Sequence, residues 1–272
     1  MPIEDIKKMI YFVATPIGNL DEITYRAVEI LKNSDVIFCE DTRHSSILLN
    51  RLGVKAPLKS YHKFNEAKSC DFILNLAREG KTVSVISDAG MPGISDPGRT
   101  LVNACIEAGE EYGVVSGASA AINAFVSSGF DTPFVFVGFL PEKNGDKDKV
   151  IESVVSTGTL IFYSAPHDLN DTLDYLKSKL GEDRRVAICK ELTKLHETVI
   201  HTTLGQAYLD QPKGEFVIVV DKASANENAL NGLTIEQHVE FYVDKGMSKM
   251  DAIKATAKDL GVGKNEVYKA LL

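Results

Sequence analysis

The sequence predicts an α/β protein with two α/β domains and a small helical domain at the C-terminus. Short runs of β-branched and aromatic residues alternate with longer segments whose apolar residues have helical spacing. The composition, with 44% hydrophobic and 25% charged residues, is typical of globular proteins and excludes disordered, collagen-like and coiled-coil classes. A length of 272 residues allows two compact domains and an appendage.

The first domain, residues 1–128, is predicted from apolar runs that are continuous rather than alternating, as expected for strands covered by helices on both faces. The predicted strands are Ile10–Thr15, Asp35–Cys39, Val83–Ser87 and Tyr112–Ser116. The predicted helices are Glu22–Lys32, Ser45–Leu52, Glu66–Arg78, Gly98–Ala108 and Ser119–Ser127. Gly80 and Gly109 stand where a left-handed residue would end a helix.

The second domain, residues 129–222, has strands in closer succession, which favours more antiparallel pairing and an α/β or α+β arrangement. The predicted strands are Phe134–Phe139, Leu160–Tyr163, Val186–Cys189, Thr198–Thr203 and Phe216–Val220. One helix, Leu169–Leu180, has a clear apolar stripe.

The C-terminal segment begins with a polar stretch at residues 223–232, which is interpreted as a flexible linker. In residues 233–272, Thr234 with Gln237 and Ser248 with Asp251 have the spacing of helix capping boxes. A glycine turn at Gly261 precedes another short helix, so the outline is that of a helix-turn-helix.

Charge and cysteine usage limit the class of protein. The formal net charge of −8 argues against binding nucleic acid through a global positive field, but residues 233–272 hold equal numbers of basic and acidic side chains. The four cysteines form no Cys-x-x-Cys pair, so neither a zinc site nor a disulfide framework is predicted. No membrane span or secretory signal is expected, and a cytoplasmic location fits best.

Four loops that follow predicted strands are rich in small residues: 15–20, 87–98, 116–120 and 164–167. In open α/β sheets ligands bind at the carboxyl ends of strands, so these loops predict one cleft that binds a cofactor. The chain has neither the phosphate-binding loop of nucleoside triphosphatases nor the usual dinucleotide fingerprint.

Longer motifs in these regions carry a family resemblance. They are VATPIGNLDEIT at 13–24, DVIFCEDTRHS at 35–45, VISDAGMPGISDPG at 85–98, FVGFLP at 136–141, LIFYSAPH at 160–167, KELTKLHET at 190–198, KGEFVIVV at 213–220 and KNEVYKALL at 264–272. On these residues the chain resembles the tetrapyrrole methylase superfamily of S-adenosylmethionine-dependent methyltransferases. Within it, the chain resembles bacterial enzymes that methylate a cytidine ribose 2′-hydroxyl of 16S ribosomal RNA. In Ser116-Gly117 it departs from the family, which more often has proline before the glycine.

The resemblance implies a cleft between the two α/β domains that binds S-adenosylmethionine, a 16S ribosomal RNA substrate, acting within the small ribosomal subunit, and a homodimer. Carried over by position, the implied cofactor-binding residues are Pro16, Ile17, Gly18, Asp88, Ala89, Gly90, Pro92, Ile94, Ser95, Ser119, Ala120, Ala165, Pro166, Leu192 and Thr193.

A ribose hydroxyl is a weak acid, so a base assists its methylation. The predicted catalytic residues are His62 and Glu191, although a structural histidine and a salt-bridged glutamate at a sheet end remain alternatives. Asp88 is interpreted as a cofactor ligand and Asp96 as a helix N-cap.

RNA contacts are predicted from basic, aromatic and amide side chains, which hold phosphates and stack on bases. The candidates are Arg43, Tyr61, Lys63, Asn65, Lys190, Lys194, Lys264 and Lys269. Two other functions stay open: the same fold acting on a tetrapyrrole precursor or a modified protein histidine, and an RNA-binding module without catalysis.

Overall fold

A computed structural model of the protein describes residues 6–223, 233–260 and 262–271. Contacts divide the chain into two compact units, Met1–Asp221 and Lys222–Leu272. The larger unit contains two five-stranded sheets, and the smaller unit is helical.

The first sheet is parallel and has the strand order β3-β2-β4-β1-β5. Its strands are β1 (Ile10–Val13), β2 (Val36–Cys39), β3 (Leu58–Ser60), β4 (Val83–Val85) and β5 (Tyr112–Val115). The helices that connect them are α1 (Tyr25–Lys32), α2 (Thr42–Arg51), α3 (Glu66–Arg78) and α4 (Arg99–Ala108), and α5 (Ala120–Ser128) follows β5. Because all five strands are parallel, their carboxyl ends meet at one edge.

Both faces of this sheet are buried. Phe12 and Phe38 pack with Ile73 and Leu101 on one face, and Tyr11 packs with helical residues on the other. The continuous apolar runs therefore arise from two-sided burial, as the sequence predicts.

The second sheet has the order β6-β7-β10-β8-β9. Only β6 and β7 are parallel; the other neighbours are antiparallel, which confirms the predicted shift in pairing. The elements are β6 (Phe134–Phe139), α6 (Asn144–Val154), β7 (Thr159–Ser164), α7 (Leu169–Leu180), β8 (Arg185–Lys190), β9 (Thr198–Thr203) and β10 (Phe216–Val220).

An apolar cluster joins the two sheets. Ala121 and Ala124 of α5, with Ile17 from the loop after β1, pack against Cys189 and Val217 of the second sheet. Helix α5 thus belongs to the first domain by sequence and packs on the second, which fixes the cleft between them.

The C-terminal unit consists of α8 (Ile235–Asp244), α9 (Lys249–Asp259) and α10 (Lys264–Ala270). Val239, Ile253 and Val267 form part of its core. The Thr234 hydroxyl accepts a hydrogen bond from the Gln237 backbone and the Gln237 side chain bonds back, which confirms that capping box. Residues 224–232 of the predicted linker and Gly261 of the predicted turn lie outside the described residues.

Two elements were absent from the sequence prediction, β3 and α6. Strand β3 has only three residues and lies at the sheet edge with little burial, so it has no apolar run. Helix α6 is highly charged and buries only Ile151, which leaves too weak a stripe to detect. No helix in the described ranges combines the length and hydropathy needed to cross a bilayer.

Candidate active site

The loops after β1 and β4 are bonded to each other. The Thr15 N–H donates to the Gly90 carbonyl at 2.9 Å and the Gly90 N–H donates to the Thr15 carbonyl at 3.1 Å. Gly90 has φ +78°, and a Cβ there would lie 3.4 Å from Ile17 Cγ2. Because of the positive φ, a side chain at this position would strain the backbone, and it would lie in contact with the neighbouring loop.

A cavity of about 340 Å³ lies between the two sheets, at the low end of the range for small-molecule sites. The first domain lines it with Ile17, Ala89, Gly90, Met91, Ile94, Ser95, Asp96, Ser119 and Ala120. The second domain lines it with Phe139, Tyr163, Ser164, Ala165, Pro166, Cys189, Leu192, Glu215, Phe216 and Val217. Small and apolar residues dominate both walls.

A second cavity of about 220 Å³ adjoins the first. Ile17, Ala89 and Glu215 line both. The other residues of the smaller cavity are Thr15, Pro16, Gly18, Leu20, His44, Ser45, Ile47, Leu48, Ile86, Ser87, Asp88 and Lys194. Two ligands bound in these cavities would be neighbours.

The structure brings most of the implied cofactor residues together. Those in the larger cavity are Ile17, Ala89, Gly90, Ile94, Ser95, Ser119, Ala120, Ala165, Pro166 and Leu192. Pro16, Gly18 and Asp88 line the smaller cavity. Pro92 and Thr193 line neither; Pro92 is buried, and the Thr193 hydroxyl accepts a hydrogen bond from the Asn19 N–H at 3.0 Å.

The larger cavity fits the adenosyl part of S-adenosylmethionine, the cofactor expected from the sequence. A purine ring needs apolar faces above and below it, and Ala165, Pro166 and Val217 supply such surface. Ala89 and Ala120 carry only a methyl group and Gly90 has no side chain, so a ligand can approach the main chain there. Asp96 places a carboxylate at the wall, which suits a cationic ligand.

Three carboxyl groups lie within electrostatic reach of one another: Glu40, Asp88 in the wall of the smaller cavity and Asp96 in the wall of the larger one. Burial raises the pKa of Asp96 to about 6, and the charges of Glu40 and Asp88 add to that shift. Burial also raises the pKa of Glu40, with a contribution from Asp88 and an opposing one from His62. One Asp88 oxygen accepts a hydrogen bond from the Asp41 N–H at 3.2 Å.

The contacts at the N-terminus of α4 contradict two predictions from the sequence, Asp96 as the helix cap and Tyr61 as an RNA contact. Asp96 is not its cap; Gly98 occupies that position, and Glu66 Oε1 accepts hydrogen bonds from the Gly98 and Thr100 N–H groups at 2.8 and 3.2 Å. The Tyr61 hydroxyl donates to the same oxygen at 2.9 Å. Tyr61 is only 1% exposed, so its ring is a core residue and offers no face to an RNA base.

The two predicted catalytic residues lie outside the walls of both cavities. His62 lies before α3, with a buried Nδ1 that has no hydrogen-bond partner among the described residues. Glu191 accepts hydrogen bonds from the Glu215 N–H at 2.8 Å and from Lys194 Nζ at 3.0 Å. Burial opposes the charged form of Glu191, but these bonds outweigh it and lower its pKa. Glu191 therefore holds the turn that presents Glu215 to the cavities.

The remaining RNA candidates occupy different surroundings. Arg43 is exposed and pairs with Asp41, and Lys63 is exposed. The Asn65 side chain bonds the His62 N–H and the Ser60 carbonyl, so it maintains a turn. Lys190 is half-buried at the end of β8, and Lys194 bonds Glu191 and Glu215. Lys264 and Lys269 are exposed on α10.

Sequence reasoning gave no site role to several residues, among them Glu66, Glu215 and Tyr163. Glu66, Glu215 and Tyr163 contribute through contacts that span 21 to 34 residues or through a cavity wall. The spacing of residues within one segment gives no sign of such long-range contacts. The exposed Phe64 lies between the RNA candidates Lys63 and Asn65, so an aromatic side chain among them was a signal in the sequence.

Comparison with known families assigns the fold. The profile of the Tetrapyrrole (Corrin/Porphyrin) Methylases matches residues 9–208. The chain belongs to this family. Solved structures of similar fold include a uroporphyrin-III-C-methyltransferase from Thermus thermophilus, with TM-score 0.56, 20% identity and coverage of 78% of this chain and 94% of that one. The methyltransferase CobJ has TM-score 0.60, 19% identity and coverage of 79% and 94%.

Closer relatives match nearly the whole chain, including the C-terminal unit. A ribosomal RNA small subunit methyltransferase I from Halalkalibacterium halodurans is 41% identical, with 97% of this chain and 94% of that protein aligned. The protein of the same name from Bacillus subtilis is 40% identical over 96% and 93%. That from Escherichia coli O157:H7 is 37% identical over 97% and 94%.

Proposed function

We propose that this protein transfers a methyl group from S-adenosylmethionine to the ribose 2′-hydroxyl of a cytidine in 16S ribosomal RNA. Family membership and the names of its full-length relatives support an S-adenosylmethionine-dependent methyltransferase of small-subunit ribosomal RNA. The observation that carries the proposal is the pair of adjoining cavities with shared walls. Group transfer requires donor and acceptor side by side, and two adjoining cavities support this requirement.

In this assignment the larger cavity takes the cofactor and the smaller one admits the acceptor nucleotide. When bound, S-adenosylmethionine supplies an electrophilic methyl group. Ala165 and Pro166 would hold the cofactor on one side of the larger cavity, and the loop at Gly90 would hold it from the other domain. Lys194 and Glu215 line the smaller cavity, where they orient the incoming ribose. The enclosing sheets exclude water from the reacting atoms.

The RNA surface extends beyond the cavities. Phe64 is 91% exposed beside the exposed Lys63, so Phe64 takes the base-stacking role first expected for Tyr61. Arg43 and Lys190 contact phosphates near the site. Lys264 and Lys269 of the C-terminal unit also contact RNA. This unit carries no net charge, so it repels a phosphate backbone less than the rest of the chain does.

The proposal includes a homodimer that acts on the small ribosomal subunit in the cytoplasm. Ile122 and Val126 lie one turn apart on α5 and are 46% and 72% exposed. Apolar residues at this spacing form one helix face, and a face of this kind commonly marks a protein interface. The proposal also keeps the domain boundaries predicted from the sequence, which fall after residues 128, 222 and 232.

The function is tested by incubating the protein with labelled S-adenosylmethionine and small ribosomal subunits that lack the modification. We expect label in 16S ribosomal RNA, recovered as 2′-O-methylcytidine after nuclease digestion. Parallel reactions contain free 16S RNA, large subunits and a tetrapyrrole precursor. Label in the tetrapyrrole alone, or in a base rather than a ribose, would contradict the proposal.

A further inference from the structure

The segment at residues 191–194, which follows β8, has a strained backbone. Glu191 has φ +51° and Thr193 has φ +66°, so two residues other than glycine lie in the left-handed region within three positions. A β-branched residue such as threonine is an outlier there. A conformation of this kind costs free energy and persists only where surrounding contacts hold it. The contacts that hold this segment come from both α/β domains.

Within the second domain, the segment is bonded to Glu215, the residue before β10. The Glu191 N–H donates to the Glu215 carbonyl at 2.9 Å, and the Glu215 N–H donates to a Glu191 carboxylate oxygen at 2.8 Å. Lys194 Nζ donates to the carboxylate of Glu215 at 2.9 Å and to that of Glu191 at 3.0 Å. These bonds fix the position of Glu215 relative to the segment.

In the first domain, the same segment rests on the loop after β1. The Thr193 hydroxyl accepts a hydrogen bond from the Asn19 N–H at 3.0 Å. A Cβ at Gly18 would lie 2.5 Å from Lys194 Cγ and 2.8 Å from the Thr193 hydroxyl oxygen, separations too short for a side-chain carbon. Gly18 has no positive φ, so glycine is needed here for the close approach of the segment and not for the backbone conformation.

The two sides of this contact lead to the wall that the two cavities share. Ile17, in the loop after β1, and Glu215, in the second domain, each line both cavities. Leu192 packs with Ile17 in the apolar cluster between the sheets. The 191–194 segment therefore connects opposite sides of the shared wall, although Thr193 itself lines neither cavity.

We propose that Thr193 is a positioning residue for methyl transfer. Its hydroxyl holds the loop at Asn19 against the 191–194 segment, and this contact aligns the acceptor cavity with the cofactor cavity. Thr193 acts through the cavity walls and not by contact with the reacting atoms. A misplacement of about 1 Å between donor and acceptor can lower the rate of group transfer by about 100-fold. This role rests on the proposed function, which assigns the smaller cavity to the acceptor.

The test compares Thr193→Val with Thr193→Ser on small ribosomal subunits. Valine keeps the β-branched shape and the strained backbone but has no acceptor oxygen, whereas serine keeps the hydroxyl. We expect Thr193→Val to lower kcat by about 10-fold to 100-fold and Thr193→Ser to stay within about threefold of wild type. The KM for subunits and the dissociation constant for S-adenosylmethionine, measured by calorimetry, should change less than about threefold, since binding and alignment are separate contributions. Thr157→Val, at an exposed position after α6, is the matched control and should match wild type.

A second variant, Gly18→Ala, breaks the same contact from the first domain. Its methyl group would displace Lys194 and Thr193, so kcat should fall by a similar factor. The double variant Gly18→Ala/Thr193→Val should be little slower than the slower single variant, because both changes remove one contact. Gly145→Ala is the control, at an exposed glycine whose Cβ would meet no atom of the described residues within 4 Å.

Three results would overturn the positioning role. The first is a Thr193→Val variant that keeps more than about a third of wild-type kcat. The second is an equal loss of kcat and of melting temperature in Thr193→Val and Thr193→Ser, which would indicate a structural role. The third is a loss confined to the dissociation constant for S-adenosylmethionine, since Thr193 would then be a cofactor ligand.

Failure of the proposed function gives a different result. A wild type that labels another acceptor would contradict the proposed function, and the same comparison of variants on that acceptor would still test Thr193. A wild type that is inactive on every acceptor would overturn both.

Discussion

The two sheets contribute different chemistry to the same cleft. The first sheet places Asp88 and Asp96 on loops at its carboxyl edge, whereas the second sheet contributes mainly apolar surface from Ala165, Pro166 and Val217. A parallel sheet brings every strand end to one edge, where backbone N–H groups and polar loops gather. In a mostly antiparallel sheet the carboxyl ends of neighbouring strands lie at opposite edges. Such a sheet therefore contributes fewer loops and more of its face to the cleft. The first sheet therefore contributes carboxylates to the cleft, and the second sheet contributes mainly apolar surface.

The largest expected effect tests the platform. Ala165→Phe places a ring in the larger cavity, and overpacking of this kind costs about 1 to 3 kcal/mol, or up to about 100-fold in affinity. We expect S-adenosylmethionine binding, measured by calorimetry, to weaken accordingly while the melting temperature changes little. Ala67→Phe, at an exposed position on α3, is the matched control. Unchanged affinity in Ala165→Phe would place the cofactor elsewhere than against the second sheet.

An intermediate effect is expected where Glu66 holds the loop that precedes α4. Glu66→Ala removes the acceptor of the Gly98, Thr100 and Tyr61 hydrogen bonds. Leaving such donors unsatisfied costs about 1 to 3 kcal/mol, so the free energy of unfolding in urea should fall by that amount. Glu66→Gln keeps an acceptor oxygen and should lose less than half as much. The control is Glu79→Ala, at an exposed position after α3; equal losses in Glu66→Ala and Glu79→Ala would refute the capping role.

The smallest expected effect concerns the surface outside the cleft. Phe64→Ala should weaken binding to the small subunit about tenfold, since stacking of one base contributes about 1 to 3 kcal/mol. Stability should not change, because Phe64 is 91% exposed. Filter binding at several salt concentrations measures the affinity. Tyr25→Ala, at a residue that is 94% exposed in the same domain, should have no effect; a similar loss in both variants would mean that Phe64 has no specific contact.

The sequence anticipated elements whose signal is local. The predicted bounds are close to the observed ones for four strands of the first sheet, β1, β2, β4 and β5, and for helix α7 with its apolar stripe. Strand β3 was not predicted, because an exposed edge strand needs no apolar pattern. Asp96 was misread as a cap because an aspartate before proline and glycine is typical of a helix start, whereas α4 takes its capping oxygen from Glu66 on another helix.

The sequence by itself determined the α/β class, the alternation of elements and the small-residue loops that follow the strands, because these depend on neighbours within a few residues. Only the tertiary structure decided which loops share a wall and which aromatic ring is buried. Those outcomes depend on distances between segments far apart in the chain. The 1% exposure of Tyr61 and the 91% exposure of Phe64, three residues apart, arise from packing and not from residue type.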